Sequence, residues 1–174
     1  MTIYGLVAAP LARRLGIADS NPQGILFVGA DAFVRAIAEA VKEAGFDVVL
    51  IDRNREKIHV ARMAGLTTLQ ANILSETELA RQEFGGIGRL LAMTPNNEVN
   101  SLAALQFAKL FSRSEVYQLA SPQAGNGGEP VAAHLRGRTL FDNELTYARL
   151  AQRFAAGAVV KTTPLTEEFG YDDF

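Results

Sequence analysis

At 174 residues the chain suits one ordinary domain with a small appendage, long enough to bury roughly two-thirds of its unfolded surface without a disulfide or metal staple. Apolar residues make up 48% and charged ones 21%, a globular composition, and the absence of cysteine excludes a disulfide scaffold, a cysteine zinc site, a cysteine nucleophile and an iron–sulfur cluster. Seventeen basic against nineteen acidic residues leave a formal charge of −2, which offers a nucleic-acid backbone no electrostatic footprint, and two histidines are too few for a multi-histidine metal site.

Residues 3–12 (IYGLVAAPLA) form an uncharged run about half the ~20 residues that a membrane-spanning helix needs. With no basic residue before it and Arg13–Arg14 after it, the run makes a poor secretory signal. Two readings stand on composition alone. One is a first helix or ordered arm packed on the domain; the other is the end of a transmembrane helix, with Arg13 and Arg14 marking its cytoplasmic side.

From Gln23 onward the punctuation is regular. Residues 24–28 (GILFV) are a short continuous apolar run between Asn21-Pro22 and Gly29, as expected of a strand buried on both faces. Apolar residues at Phe33, Ile37, Ala40, Val41 and Ala44 then keep helical spacing until Gly45, at the place of a helix-ending glycine. A second buried strand is predicted over 47–51 (DVVLI), a helix over 55–64 with a stop at Gly65, and a third strand over 67–70. Ser75-Glu-Thr-Glu78 is a capping box opening a helix to about residue 84. A fourth strand over 88–93, a helix over 98–111 and a fifth strand over 115–119 complete an alternation that predicts a doubly wound, Rossmann-like parallel α/β sheet.

Residues 121–129 (SPQAGNGGE) are a Gly-rich break closed by Pro130. Beyond it a strand or turn over 137–141, a helix over 143–156 and a strand over 158–163 (AVVKTT) are expected as a short αβ extension, followed by an acidic, aromatic tail over 165–174.

In such a sheet the turn after the first strand carries the phosphate-binding signature G-x-G-x-x-G, with an acidic residue about twenty positions on. Here the turn reads Gly29-Ala30-Asp31-Ala32-Phe33-Val34. Gly29 permits the tight turn, but Asp31 stands where a second glycine would let backbone approach a pyrophosphate, and Val34 where a third would let helix pack close to sheet. A helix N-terminus attracts an anion by roughly 0.3–1 kcal/mol per charge at an exposed end. Two like charges ~4 Å apart at an effective dielectric of about 20 repel by ~4 kcal/mol. The carboxylate at Asp31 can also occupy the same amide donors itself. Asp52, at the end of the second strand, is placed to accept bonds from ribose hydroxyls or, alternatively, to cap the helix that follows. Arg53 beside it is suited to stack on an adenine, to meet a 2′-phosphate or simply to stay solvated. Asn72 and Thr94 follow the third and fourth strands on the sheet edge where ligands bind, and each is otherwise a turn or cap residue.

Residues 27–38 (FVGADAFVRAIA) and 43–52 (EAGFDVVLID), with Ala64-Gly65, Ala71-Asn72 and residues 91–98 (LAMTPNNE), resemble the TrkA-N nucleotide-binding domain, the Rossmann half of RCK regulatory domains. Residues 4–16 (YGLVAAPLARRLG), 72–76 (NILSE) and 165–169 (LTEEF) resemble the cytoplasmic carboxyl-terminal region of bacterial sodium/proton antiporters, where the last membrane helix runs directly into such a domain. The first similarity spans about residues 22–122, the second nearly the whole chain.

The resemblance implies a regulatory module of a cation/proton antiporter on the cytoplasmic side of the inner membrane, not a self-standing enzyme. It implies a transmembrane domain as partner, a homodimer formed through helices of the sheet, and no nucleic acid. It divides the chain into residues 1–20 as the severed end of a membrane helix, 21–122 as the Rossmann domain and 123–174 as linker and extension. Carried over, Gly29 matches the first motif glycine, Asp52 the ribose-binding acid, and Asn72 and Thr94 the positions lining the adenosine; Ala30, Asp31, Arg53 and Ile73 complete the candidate set. AMP, NAD or another adenine nucleotide is the implied ligand. The departures at Asp31 and Val34 leave a nucleoside or AMP-like ligand, or none, in which case the sheet serves as a dimerisation module.

An NAD-dependent oxidoreductase is the enzyme alternative. Tyr4, Tyr117 and Tyr147 are followed four residues on by Ala8, Ser121 and Ala151, and no residue stands four on from Tyr171, so the sequence shows no Tyr/Lys proton relay. His59 and His134 read as surface histidines, and no serine-hydrolase elbow, zinc-protease or P-loop motif occurs.

Overall fold

The computed structural model describes residues 22–121 and 136–163, apart from Arg81 and Glu83. Expectations for the amino-terminal segment, the linker, His134 and the acidic tail fall outside these residues. β1 (Gly24–Val28) buries Leu26, Phe27 and Val28, since helices cover both faces of the sheet and leave neither set of alternating side chains in water. Around it, in the order β3-β2-β1-β4-β5-β6, lie β2 (Val48–Asp52), β3 (Thr67–Gln70), β4 (Ile87–Ala92), β5 (Val116–Leu119) and β6 (Arg138–Leu140), all parallel. This is the doubly wound arrangement expected from the alternation of buried strands and amphipathic helices.

The helices are α1 (Ala32–Glu43), α2 (Arg55–Met63), α3 (Glu76–Leu79), α4 (Asn97–Phe107) and α5 (Tyr147–Ala155). One apolar cluster joins Phe33, Val34 and Ala38 of α1, Ile58 and Ala61 of α2 and Leu150 of α5 to Phe27, Leu50 and Leu91 of the sheet. On the other face Leu79 of α3 and Ala103, Ala104 and Phe107 of α4 pack against Leu26, Ile51 and Leu90. α1 stops at Gly45, whose φ of +93° reverses the chain at little steric cost.

The carboxyl-terminal residues extend the sheet. β6 pairs with β5 in register Tyr117–Arg138 to Leu119–Leu140, and the Gly137 N–H donates to the buried Gln118 Oε1 at 3.0 Å. α5 then returns over α1. Its Tyr147, Leu150, Ala151 and Phe154, at i, i+3, i+4 and i+7, form the stripe that meets Phe33 and the core behind it. Ring centroids of Phe33 and Tyr147 lie 5.2 Å apart in an edge arrangement, and those of Phe33 and Phe154 lie 6.0 Å apart.

Four expectations need correction. The helix opened by Ser75 ends at Leu79 instead of about residue 84, because Phe84 turns inward to meet Phe107, centroids 6.0 Å apart, before the turn into β4. α4 likewise ends at Phe107, and Phe111 packs back on that ring at 5.5 Å. The last helix starts at Tyr147, since Asp142 Oδ1 accepts from the N–H groups of Glu144 and Leu145 and holds residues 142–145 in a turn. Residues 158–163 form no strand: their β-branched side chains favour one, but no strand edge pairs with them and Val159 is exposed.

Candidate functional site

The strand order reverses between β1 and β4, and at the carboxyl ends of these strands, where ligands of open α/β sheets bind, a cleft of about 180 Å³ opens. Gly29, Asp52, Arg53, Asn72, Ile73 and Thr94 line it together with Val28, Ile51, Ala71, Leu74 and Val99. Ala30 and Asp31 are not among its lining residues; both stand in the turn beside it.

Each wall has a local cause. Gly29 holds φ at +109°, and a Cβ there would come within 3.0 Å of the Met93 carbonyl oxygen, so only glycine lets the turn leave β1 hard against the end of β4. Asp52 Oδ2 accepts from the Ala30 N–H at 2.9 Å and Oδ1 from the Asn54 N–H at 2.8 Å. The carboxylate is thereby locked at the mouth with lone pairs still open to hydroxyl donors. It does not cap α2; Asn54 does, accepting from Glu56 and Lys57.

On the β3 side, the Asn72 N–H donates to Glu78 Oε2 at 2.7 Å, and Asn72 Oδ1 accepts from the Leu74 N–H at 3.1 Å. Ser75 Oγ accepts from the Glu78 N–H as the capping box requires, but the glutamate returns its bond to Asn72, tying α3 to the cleft wall. With its oxygen committed, Asn72 has its NH2 to offer a ligand. Thr94 is internally satisfied. Its N–H and hydroxyl both reach Asn100 Oδ1, at 3.0 and 2.7 Å, and Asn100 Nδ2 donates to the Thr94 carbonyl at 2.9 Å. Thr94 therefore shapes the cleft more than it offers polar groups. Ile73, 4% exposed, and Val99 supply apolar walls, and Arg53 is exposed at the rim.

Asp31 occupies the N-cap position of α1, yet its carboxylate bonds to none of the first-turn amides. It turns instead to Lys57 of α2, Nζ to Oδ1 2.6 Å, with the two side chains 32% and 20% exposed for lysine and aspartate. Its Oδ2 is shielded from solvent with no well-aligned hydrogen-bond partner. The Tyr147 hydroxyl of α5 lies beside this carboxylate, and its pKa is raised well above the tyrosine value by burial first, then by Asp31 and, more weakly, Asp52. Val34, at the third motif position, is fully buried in the α1–sheet core, and the turn itself is steadied by Arg35, which donates to the Ala30 carbonyl at 2.7 Å.

Lys57 and Asn100 were not singled out from the sequence, and Glu78 and Tyr147 entered it only as a capping-box residue and as a tyrosine without a relay lysine. Asn100 had a signal: it is a polar residue at the head of the buried α4 stripe of 100, 103, 104 and 107. Tyr147 had none, since it reaches the turn through the packing of α5 on α1, more than a hundred residues away in sequence from Asp31. His59 is exposed on α2. Among the described residues no group of three or more His, Asp or Glu is placed to hold a metal ion, and no helix is long and apolar enough to cross a membrane.

Parallel strands in the order 3-2-1-4-5-6, with a glycine turn and an acidic strand end facing one cleft at the switch point, define the class of doubly wound Rossmann domains. Residues 25–124 match the TrkA-N domain, and the chain belongs to that family. Among solved structures it is similar to the TrkA-N domain of the inner membrane protein ybaL from Escherichia coli, with a TM-score of 0.56 and 13% identity over 79% of this chain and 97% of that one. It is similar too to the NAD(P)-binding domain of an exopolyphosphatase-related protein from Archaeoglobus fulgidus, with a TM-score of 0.54 and 16% identity over 76% and 94%. The GsuK channel bound to NAD matches with a TM-score of 0.50 and 19% identity over 70% of this chain, which spans only 24% of that channel chain. At these identities the likeness is one of fold. Among curated proteins none matches significantly.

Proposed function

We propose that this domain is the regulatory module of a membrane cation transporter, in the first instance a cation/proton antiporter, and that it senses a ligand containing adenosine, such as AMP, NAD(H) or another adenine nucleotide. The observation that carries the reading is the convergence of Gly29, Asp52, Asn72 and Ile73 on one open cleft at the switch point. There an adenine would lie between the Ile73 and Val99 sides, with its ribose hydroxyls on Asp52. Membership of the TrkA-N family supports it, as do the printed descriptions of its structural neighbours: an inner membrane protein and a channel bound to NAD. The similarity of residues 4–16 to the end of an antiporter membrane helix supports a parent on the cytoplasmic side of the inner membrane. The missing Tyr/Lys relay and the exposed His59 favour regulation over catalysis.

In this mechanism, occupancy of the cleft shifts the domain between two arrangements and biases the transport helices joined to its amino terminus, a coupling of about 1–3 kcal/mol. Melting of the chain is measured with adenosine, AMP, ADP, ATP, NAD and NADH. A ligand at 100 times its Kd adds about 2.7 kcal/mol of stability and a clear rise in Tm. No shift with any of them at millimolar concentration removes the sensor reading. Deleting residues 20–174 from the intact transporter should then abolish the nucleotide response of ion exchange while leaving basal exchange.

A second reading, a homodimerising module without ligand, draws on Leu102 and Leu105 of α4, which are 51% and 41% exposed on one helix face. It predicts a dimer by light scattering that a Leu102→Glu/Leu105→Glu variant converts to monomer.

A further inference from the structure

We infer that the Asp31–Lys57 pair is a specificity device that admits an adenine nucleoside to the cleft and turns away dinucleotides. The inference rests on the nucleotide-binding reading above and names the ligand class within it. A dinucleotide laid along the switch point must carry its diphosphate from the cleft across the β1–α1 turn, using space at the second motif position and free backbone N–H groups there. Here the space and the first of those N–H groups are already taken, although the first-turn amides of α1 carry no side-chain cap. The position that must be small carries the Asp31 side chain. The Ala30 N–H immediately before it is bonded to Asp52 Oδ2 at 2.9 Å. Lys57, a cation beside the turn, is held at 2.6 Å by Asp31 Oδ1.

The carboxylate is also poorly able to swing aside. Its second oxygen is sealed from solvent, the Tyr147 hydroxyl of α5 lies beside it, and Tyr147 is in turn wedged against Phe33. The ribose end of the site is untouched by this arrangement. Asp52 keeps acceptor capacity on both oxygens after its two backbone bonds, and it lines the cleft that Asp31 does not. The cleft volume of about 180 Å³, below the roughly 300–1,000 Å³ usual for sites of drug-sized ligands, suits a nucleoside better than a dinucleotide.

Titration calorimetry on the full 174-residue chain with adenosine, AMP and NAD tests this, for the wild type, Asp31→Gly and Asp31→Asn. The expected wild-type result is adenosine bound at least tenfold more tightly than NAD, with AMP between them. Asp31→Gly should narrow the NAD-to-adenosine ratio of Kd values by tenfold or more, equivalent to about 1.4 kcal/mol. Asp31→Asn keeps the shape and removes the charge, so a smaller narrowing is expected from it, and it keeps the test open if Asp31→Gly fails to fold. Equal wild-type affinity for NAD and adenosine, or a ratio unmoved by both variants, overturns the inference and leaves the nucleotide reading standing. Absence of binding by all three probes to all three proteins overturns both together.

Discussion

Asn100 is the residue on which the cleft wall next to β4 depends. Fully buried, it saturates the N–H, hydroxyl and carbonyl of Thr94 at the point where β4 hands over to α4. Asn100→Ala removes all three of these bonds from the half-buried Thr94, whose hydroxyl keeps only its contacts with the Asn96 backbone, a loss of roughly 1–3 kcal/mol, and should lower the urea midpoint accordingly. If adenosine binds, its affinity should fall with the loosened wall. Tyr147 carries a pH prediction. Its raised pKa means that the folded state keeps the hydroxyl proton where the unfolded chain, with a pKa of about 10, gives it up. The folded state then holds more protons above that value, so stability falls as pH rises beyond about 10, and the contribution is intact below it. Urea unfolding of the wild type and Tyr147→Phe between about pH 9 and 11 checks this: the wild type should lose stability more steeply, and parallel curves would refute it.

At the scale of elements, the return of α5 onto α1 connects the carboxyl-terminal residues to the site. Leu150, 7% exposed, enters the same apolar cluster as Phe33, Val34 and Phe27, flanked by Tyr147 and Phe154. Leu150→Ala should destabilise the protein by roughly 2–5 kcal/mol, read from denaturant melts, since a helix pinned by one buried leucine and two rings collapses poorly around a cavity. α3 has a comparable role on the opposite wall. Only four residues long, it carries Glu78 back to the Asn72 turn, so its shortness is set by that bond and by the inward turn of Phe84.

At the scale of the whole molecule, β6 continues the sheet through backbone pairing with β5, and α5 shares the core of α1 and α2. The described residues therefore belong to one cooperative unit, and thermal unfolding should show a single transition whose calorimetric and van't Hoff enthalpies agree. Two separated transitions would mean that the extension unfolds by itself. With a formal charge of −2 the chain has little net field to steer an anionic ligand, so recognition rests on the local groups of the cleft.

The sheet and its first four helices were legible in the sequence because buried parallel strands write themselves as unbroken apolar runs, and because Gly45, Gly65 and the capping residues punctuate helices locally. The glycine turn and the acid ending β2 were legible for the same reason: their spacing from β1 and β2 is a property of the chain alone. The tertiary structure decided which acceptor each charged group chose. Asp31 was free, on sequence grounds, to cap α1, yet an ion pair to Lys57 won; Asp52 was free to cap α2, yet Asn54 took that place and Asp52 bonded the turn. Such choices depend on distances between separate elements, as do the lost strand at 158–163, which pairs with neither edge strand of the sheet, and the approach of Tyr147 to a turn far from it in sequence. Local pattern carries secondary structure, whereas partnership among polar groups is a matter of three-dimensional proximity that no periodicity encodes.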